Sequence, residues 1–522
     1  MNTNTSKVAG IALIAVALFS GCSGTGAPMG GAPQTYGAPA TAYGPPPSAG
    51  PNNDWRNVPM NPNEEYDGSS ETPFKDVATS PLSTFSSDVD TASYSNMRRQ
   101  INDGIQPQGV RIEELVNYFD YNYAAPKAGA PDPFGVTVQV ANCPWEPAHK
   151  LAMVGIQATK AVPSNEGNNI VFLIDVSGSM ASHDKLPLLK QSFSLLIDTL
   201  GENDVVSIVT YAGSNRVVAD SVPGSNHSQL QRMIKNLESG GSTGGAAGLE
   251  RAYELAEKNF IEGGNNRVIL ATDGDFNVGP SSDEQMKTMI EQKRDSGIYI
   301  SVLGFGGGNL KDSKMETIAD AGNGNYFYID TLNEARKVLV DEFNSTMFVV
   351  AQDLKLQVAF NGAVVKQYRL IGYNNRRLEN EDFNNDAKDA GDVGAGHSVT
   401  AFYELVLGNS NEAADDNPYS KTTYGSSTDF FTVSVRYKAP GANESTLVEH
   451  PVGPNAYTTR PSIDFRFAAA VTEFGLILTD SQYQGQASLA SVRELASASI
   501  GEDPYGLRAE FLELVERYTS VG

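Results

Sequence analysis

The chain has 522 residues, too many for one hydrophobic core, so two or more packed units are expected. Its 62 acidic and 38 basic side chains give a net charge of −24, which disfavours nucleic acid and anionic membrane surfaces as partners and favours hard cations or basic patches. With only two cysteines, Cys22 and Cys143, the sequence excludes a fold held together by several disulfides.

The first residues have the pattern of a secretory signal. Lys7 precedes an apolar stretch, Val8 to Phe19, which is too short to span a bilayer. The stretch ends in Ser20-Gly21-Cys22, which resembles a bacterial lipobox; this resemblance implies that residues 1–21 are removed and that Cys22 is acylated. Ser23 after the cysteine then implies sorting to the outer membrane. A plain secretory signal with an incidental cysteine is the alternative.

The segment after Cys22 is rich in Gly, Ala, Pro and Ser, and it cannot bury enough apolar area to offset its backbone entropy. We predict a flexible tether over residues 22–75. An N-terminal region over residues 76–165 follows. In it, Arg111 to Phe119 has the spacing of an amphipathic helix, and two strands around Val136–Val140 and Met153–Ala158 alternate apolar and polar residues.

Residues 166–345 alternate between strand and helix patterns. Ile170–Ile174 is a continuous apolar run, typical of a strand that is covered on both faces. This alternation predicts an α/β fold with a doubly wound, mostly parallel sheet and helices on both faces. Further strands are predicted over 205–209, 268–271 and 298–305, and helices over 185–200, 248–260, 283–294 and 331–343.

Residues 346–522 have the pattern of a β-rich domain with C-terminal helices. Loops are expected over 374–396 and 408–427, and helices over 465–478 and 507–518. Because strands flank the α/β domain on both sides, we predict that Val136 to Ala158 pairs with strands after Asn344. The central domain is then an insertion in a β-rich body.

Oxygen-bearing side chains follow the first strand of the α/β domain. Asp175, Ser177 and Ser179 occupy alternate positions directly after the apolar run, at the carboxyl edge where open α/β sheets bind ligands. One carboxylate and two hydroxyls are hard ligands of low charge, which suit Mg²⁺ or Mn²⁺, and no Cys or His pair points to zinc. A glycine-rich loop, 240–245, and the strand end Ala271–Asp275 are expected at the same edge.

Taken singly, each of these motifs is a common turn or helix entry. Their order and spacing together, however, resemble the metal-ion-dependent adhesion site of von Willebrand factor A domains, with these members: Asp175, Ser177, Ser179, Thr243 and Asp273. The resemblance implies direct coordination by the two serines, exchange of Thr243 and Asp273 between direct and water-mediated positions, and a water-mediated role for Asp175. It also implies a position left open for an acidic side chain of a partner protein. The expected cation is Mg²⁺, with Mn²⁺ or Ca²⁺ as alternatives.

Three nearby residues match no ligand of that site. Asp184 and Asp275 are interpreted as rim carboxylates or caps, and His183 as a solvent-exposed residue at a helix start. Gly244 after Thr243 stands where the family commonly has Asn. This departure makes the loop more mobile and removes no ligand.

The flanking regions carry a second resemblance. The segments Pro81–Tyr94 and Arg111–Phe119 are similar to the N-terminal region of a bacterial family of von Willebrand factor A lipoproteins, the YfbK-like proteins. Gly391–Thr400, Asp464–Val471 and Gly501–Gly506 are similar to its C-terminal region. Nearly all of the chain after the signal is covered, and the resemblance implies architecture more than a role.

The function predicted from these features is binding of a protein partner by an envelope lipoprotein, without catalysis. The five histidines are scattered, and the glycine-rich loop lacks the Gly-Lys-Ser/Thr sequence of a phosphate-binding loop. Two alternatives stay open. The chain could be an envelope scaffold with a purely structural metal, or a metal-dependent hydrolase that uses Asp175 and Asp273 to activate water.

Overall fold

The computed structural model describes residues 62–66, 71–127, 130–160, 166–242, 244–274, 276, 283–408 and 427–521, which all lie in one compact unit, Asp54–Gly522. The predicted signal, the predicted acylation site Cys22 and most of the predicted tether fall outside these residues. The end of the predicted tether lies within the described residues and is folded. Glu64 and Thr72 are buried, and Arg99 donates a hydrogen bond to Glu64 at 2.9 Å. The folded region therefore begins before residue 76, because this polar segment is held by charge pairing that composition does not reveal.

The N-terminal flank contains the predicted helix and both predicted strands. It also contains a helix that its polar sequence did not suggest, in which Tyr94, Met97 and Ile101 lie one turn apart and are buried. The elements are β1 (Lys75–Asp76), β2 (Leu82–Ser86), α1 (Ala92–Asn102), α2 (Ile112–Asn117), β3 (Phe134–Asn142) and β4 (Lys150–Ala158).

The central domain contains a six-stranded sheet. Its strands are β5 (Asn168–Asp175), β6 (Val205–Tyr211), β7 (Asn215–Pro223), β8 (Asn265–Thr272), β9 (Ile298–Phe305) and β10 (Tyr326–Ile329). They lie in the order β10-β9-β8-β5-β6-β7. All neighbours are parallel except β7, which pairs antiparallel with β6 at the edge. The predicted doubly wound, mostly parallel sheet is confirmed, and β7 and β10 are additions to it.

Helices cover both faces of this sheet. They are α3 (Leu186–Ile197), α4 (His227–Lys235), α5 (Ala246–Lys258), α6 (Asp283–Asp295), α7 (Asp312–Ala321), α8 (Leu332–Arg336) and α9 (Phe343–Met347). On one face, Phe193 of α3 stacks on Phe172 of β5 with ring centroids 4.4 Å apart. On the other, Leu249 and Tyr253 of α5 pack against Leu173. Both faces of β5 are therefore buried, as its apolar run predicted.

The closing helix, predicted as one element over 331–343, is interrupted. It consists of α8, a π-helical turn over Lys337–Asp341, and α9. Glu334 and Lys337 are buried there and are engaged by charged groups, so this stretch serves polar contacts in addition to apolar packing.

The C-terminal region completes a β-rich body. Its elements are β11 (Val349–Phe360), β12 (Val365–Ile371), β13 (Gly391–Gly394), β14 (Ser398–Leu407), β15 (Phe431–Lys438), β16 (Thr446–Val452), α10 (Ile463–Leu478), α11 (Leu489–Ser497) and α12 (Leu507–Val521). One sheet has the order β1-β12-β14-β4-β3, and the other has β13-β11-β15-β16 with β2 also paired to β11. Since β4 pairs with β14 and β2 with β11, the predicted pairing of the two flanks is confirmed.

The two sheets of the body face one another across an apolar core that includes Val154, Leu356 and Val433. The three C-terminal helices form a further layer with α2, where α10 is buried nearly all round, as its sequence predicted. The predicted loop at 374–396 includes two 3₁₀ turns and β13; most of the second, 408–427, lies outside the described residues. Among the described residues, no helix combines the length and hydrophobicity needed to cross a bilayer.

Candidate metal centre

The predicted metal ligands begin at the carboxyl ends of two neighbouring parallel strands. Asp175 ends β5, and Thr272 ends β8 and precedes Asp273. The two strands pair in register, with Ile174 opposite Ala271, so both carboxylates reach the same edge of the sheet. Asp175 and Asp273 are each 0% exposed. The sequence alternation of strands and helices was sufficient to predict this convergence.

Hydrogen bonds fix the carboxylate of Asp175. The backbone N–H of Ser177 donates to its Oδ1 at 2.8 Å, and the hydroxyl of Thr272 donates to its Oδ2 at 3.3 Å. Burial raises the pKa of Asp175 to about 6; the hydrogen bonds from Ser177 act in the lowering direction, and the nearby charge of Asp273 adds to the rise. A buried carboxylate in this position gains from a cation placed beside it.

The two serines lie side by side. Ser177 Oγ and Ser179 Oγ are 2.9 Å apart; Ser177 is the N-cap residue of the 3₁₀ segment Gly178–Ala181, and Ser179 lies within this turn. Ser177 is buried and Ser179 is half-buried, so this pair opens toward the surface. Adjacent oxygen ligands of an octahedral Mg²⁺ lie about 2.9 Å apart, given metal–oxygen distances near 2.05 Å. The serine pair therefore fits such a cation.

The glycine-rich loop is hydrogen-bonded to the serine turn. Gly240 N–H donates to the carbonyl of Val176 at 2.7 Å, and Gly178 N–H donates to the carbonyl of Gly241 at 3.1 Å. Gly241 has a φ of +86°, which favours glycine there. Thr243 itself lies outside the described residues. Its predicted role stays a prediction, although the loop up to Ser242 lies against the serine turn.

A residue that the sequence analysis missed reaches Asp273. Lys185, at the start of α3, donates from Nζ to Asp273 Oδ2 at 2.9 Å, and this lysine is only 6% exposed. No local sequence signal points to this pair, because Lys185 is the N-cap residue of α3 and Asp273 lies 88 positions further along the chain.

The other residues near the site take minor positions. His183 is exposed, as predicted. Asp184 is half-buried and accepts a hydrogen bond from Ser182 Oγ at 2.5 Å, and Asp275 lies outside the described residues. As far as residues 62–521 are described, no group of three or more His, Cys, Asp or Glu side chains is placed to hold a metal. The candidate set combines two carboxylates with two hydroxyls.

Comparisons with known proteins agree with this architecture. Residues 169–341 match the model of the von Willebrand factor type A domain, residues 60–153 match a model described as von Willebrand factor, and residues 345–521 match one described as uncharacterized protein YfbK, C-terminal. These matches follow the division of the chain into a central domain and two flanks.

Two protein relatives and one solved structure show how far the similarity extends. Uncharacterized protein YfbK of Escherichia coli is 44% identical over 466 residues, which are 86% of this chain and 80% of that protein. Human inter-alpha-trypsin inhibitor heavy chain H3 is 28% identical over 159 residues, 29% of this chain and 18% of that one. A solved structure, von Willebrand factor type A from Catenulispora acidiphila, aligns over 75% of this chain and 91% of its own at 17% identity, with a TM-score of 0.41.

The long match to YfbK extends across the central domain and both flanks, at an identity well above that of the shorter matches. It confirms the predicted YfbK-like relationship and the von Willebrand factor A domain within it. The chain therefore belongs to the YfbK family, and it carries a von Willebrand factor type A domain between an N-terminal flank and a YfbK C-terminal region.

Proposed function

We propose that this chain binds a protein partner through a divalent cation held at the carboxyl edge of the central sheet, by Ser177 and Ser179 with Asp175, Asp273 and Thr243. The observation that carries the proposal is the convergence of the serine pair, 2.9 Å apart, with two buried carboxylates from adjacent strands. The cation is Mg²⁺, or Mn²⁺ or Ca²⁺ in its place. The partner supplies an acidic side chain.

The chemistry of the donor set supports a binding role. Hydroxyl oxygens carry no formal charge, so a cation held mainly by them keeps much of its attraction for an external carboxylate. The half-buried Ser179 and the exposed Gly178 place the serine turn within reach of a partner. The central domain matches the model of the von Willebrand factor type A domain, and domains of this type mediate protein–protein interactions.

The same proposal includes anchoring at the cell envelope. Acylation of Cys22, after removal of residues 1–21, would hold the chain on the bacterial outer membrane through a Gly/Pro-rich segment. The strongly acidic composition suits a lipid anchor better than adsorption to anionic head groups, because a net charge of −24 is repelled by them.

The test compares metal-dependent partner capture by matched variants. Ser177→Ala with Ser179→Ala removes the serine pair, and Ser182→Ala with Ser194→Ala removes two hydroxyls from the same stretch of chain that hydrogen-bond locally. Each purified full chain is titrated with Mg²⁺ by calorimetry and then used to capture proteins from envelope extract, with and without chelator. The wild type and the Ser182/Ser194 control should bind Mg²⁺ and capture a chelator-sensitive partner, and the Ser177/Ser179 variant should do neither.

Two outcomes would overturn the proposal. Identical partner lists with and without chelator remove the metal from the binding mechanism, and Mg²⁺ binding without any metal-dependent partner favours the scaffold role. Labelling of the same cells with a radioactive fatty acid tests the anchor: the wild-type chain should incorporate the label and a Cys22→Ser chain should not, and equal labelling of the two chains would contradict acylation there.

A further inference from the structure

We propose that Lys185 sets the charge of this metal centre: its ammonium holds Asp273 in a buried ion pair, so that the bound cation keeps a positive charge for an external acidic side chain to neutralise. The inference rests on the proposed function, since it concerns the same site. It assigns a role to a residue that does not belong to the predicted ligand set.

The ion pair is enclosed by the protein. Lys185 Nζ lies 2.9 Å from Asp273 Oδ2, and the two side chains are 8% and 0% exposed. A buried ammonium is costly unless it is paired, so the geometry ties Lys185 firmly to Asp273. The pair also joins two elements that are distant in sequence, the start of α3 and the loop after β8. A cation held by Asp273 would therefore share this carboxylate with Lys185.

A glycine makes room for the lysine stem. Gly306, directly after β9, has a φ of +66°, and a Cβ at this position would lie 2.3 Å from Lys185 Cγ and 2.6 Å from Lys185 Cε. A side chain there would displace the aliphatic part of Lys185 from the sheet edge. Both the backbone conformation and the missing Cβ of Gly306 are therefore matched to the position of Lys185.

The charges explain the effect on the cation. Of the described groups at the site, Asp175 and Asp273 are negative, Lys185 is positive, and the serine hydroxyls are neutral, which leaves a single net negative charge. A divalent cation then retains one positive charge. Without Lys185 the two carboxylates neutralise the cation fully, so the metal binds more tightly and attracts an external carboxylate less. Asp184 at the rim is half-buried and partly screened by solvent.

The experiment measures Mg²⁺ affinity of purified full chains by calorimetry. Lys185→Met removes the charge and keeps an apolar stem. Lys185→Gln removes the charge and keeps a hydrogen-bond donor, so it separates the charge of the side chain from its shape. Lys258→Met is the matched control, because Lys258 forms a 2.6 Å pair with Asp220 on an exposed surface, at the opposite end of α5 from the glycine-rich loop.

We expect Lys185→Met to bind Mg²⁺ about tenfold or more tightly than the wild type. Lys185→Gln should change the affinity in the same direction, and Lys258→Met should be unchanged. A second readout uses the Mn²⁺-loaded chains: water proton relaxation during an acetate titration should show weaker acetate binding in Lys185→Met. This readout follows the capture of a carboxylate directly.

Unchanged or weaker Mg²⁺ binding by folded Lys185→Met overturns the inference, and so does unchanged or weaker binding by Lys185→Gln. If Lys185→Met is too unstable to titrate, Lys185→Gln alone decides. A wild-type chain that binds no Mg²⁺ contradicts the proposed function instead, so the two failures are distinguishable.

Discussion

The central domain carries carboxylates in two contrasting places. At the carboxyl edge of its sheet, Asp175 and Asp273 lie among hydroxyls and one lysine. At its junction with the flanks, other carboxylates are bound by arginines that the flanks supply. Arg98, Arg111 and Arg376 each donate to carboxylates of the central domain, on Asp330, Asp312 and Asp320 respectively.

Arg98 shows the character of the junction. It comes from α1 and is 2% exposed, and its guanidinium contacts Asp330 at 2.6 Å, Glu334 at 2.7 Å and Glu510 at 2.8 Å. Its Nη1 also donates to the hydroxyl of Tyr118 at 2.9 Å. One side chain thus joins the N-terminal flank, the central domain and the C-terminal helices.

The two places differ in how far the carboxylates are neutralised by their hydrogen-bond donors. A guanidinium offers five donors in a planar fork, so it satisfies a carboxylate and neutralises it. Hydroxyls satisfy hydrogen bonds and leave the negative charge in place. The junction therefore holds parts of the protein together, and the sheet edge is able to attract a cation. Substitutions at the junction and at the sheet edge test this contrast.

The largest effect is expected at the junction. Arg98→Met leaves Asp330 and Glu334 buried without their cation, which should lower the free energy of unfolding by about 3–5 kcal/mol. Urea unfolding without Mg²⁺ measures it. Arg251→Met is the control, since Arg251 is 41% exposed and its pair with Glu254 is expected to contribute well under 1 kcal/mol. If the two variants lost equal free energy of unfolding, the junction pairs would stabilise the chain no more than an ordinary surface pair does.

An intermediate effect is expected at the sheet edge. Gly306→Ala forces a side chain into a left-handed conformation and against Lys185, so it should cost about 1–2 kcal/mol of stability. It should also raise Mg²⁺ affinity, because the displaced lysine no longer neutralises Asp273.

Gly441→Ala is matched in conformation to this variant. Gly441 has a φ of +77°, and a Cβ there meets nothing within 4 Å. It should lose stability through strain alone and leave the Mg²⁺ affinity of the chain unchanged. If Gly306→Ala loses stability and keeps wild-type Mg²⁺ affinity, Gly306 does not influence the metal site through Lys185.

The smallest effect concerns a junction carboxylate that is held by neutral donors. Asp392 accepts from the N–H of Asp353 at 3.2 Å and from the amide of Asn323 at 3.3 Å. Burial, with the charges of Asp353, Asp389 and Asp88, raises its pKa to about 7. A carboxyl whose folded-state pKa is raised contributes stability below its unfolded pKa near 4, and this contribution is lost as the pH rises through about 7.

Asp392→Asn should therefore gain stability relative to the wild type between pH 4 and pH 7, by about 2 °C in melting temperature. Thermal unfolding across this range measures it. Asp220→Asn should show no such trend over this range, because a hydrogen bond from Lys258 lowers the pKa of Asp220 and any change of stability with its titration falls below its unfolded pKa near 4. A constant difference between Asp392→Asn and wild type over this range would show that the carboxyl is not perturbed by the junction.

Much of the fold could be predicted because its signals are local. The apolar run of β5, the apolar stripe of α3 and the nearly uniform hydrophobicity of α10 each specify an element by periodicity. In contrast, β7 is an edge strand with exposed residues such as Asn215 and Arg216, which give no such pattern. Likewise, α1 has a polar sequence and is buried because Tyr94 stacks on Tyr118 and Arg98 is paired.

One part of the candidate site, likewise, could be predicted from the sequence, and another part could not. Asp175, Ser177 and Ser179 are close in sequence, and parallel strands bring Asp273 to their edge, so pattern alone was enough to group them. By itself, the sequence therefore determined the alternating fold of the central domain and grouped the candidate ligands at one edge of its sheet, because each motif is local and parallel strands end at a common edge. Only the tertiary structure decided that Lys185 pairs with Asp273 and that arginines of the flanks fix the central domain. Charge pairs are made by proximity in space, and residues 88 or 232 positions apart carry no mutual signal along the chain.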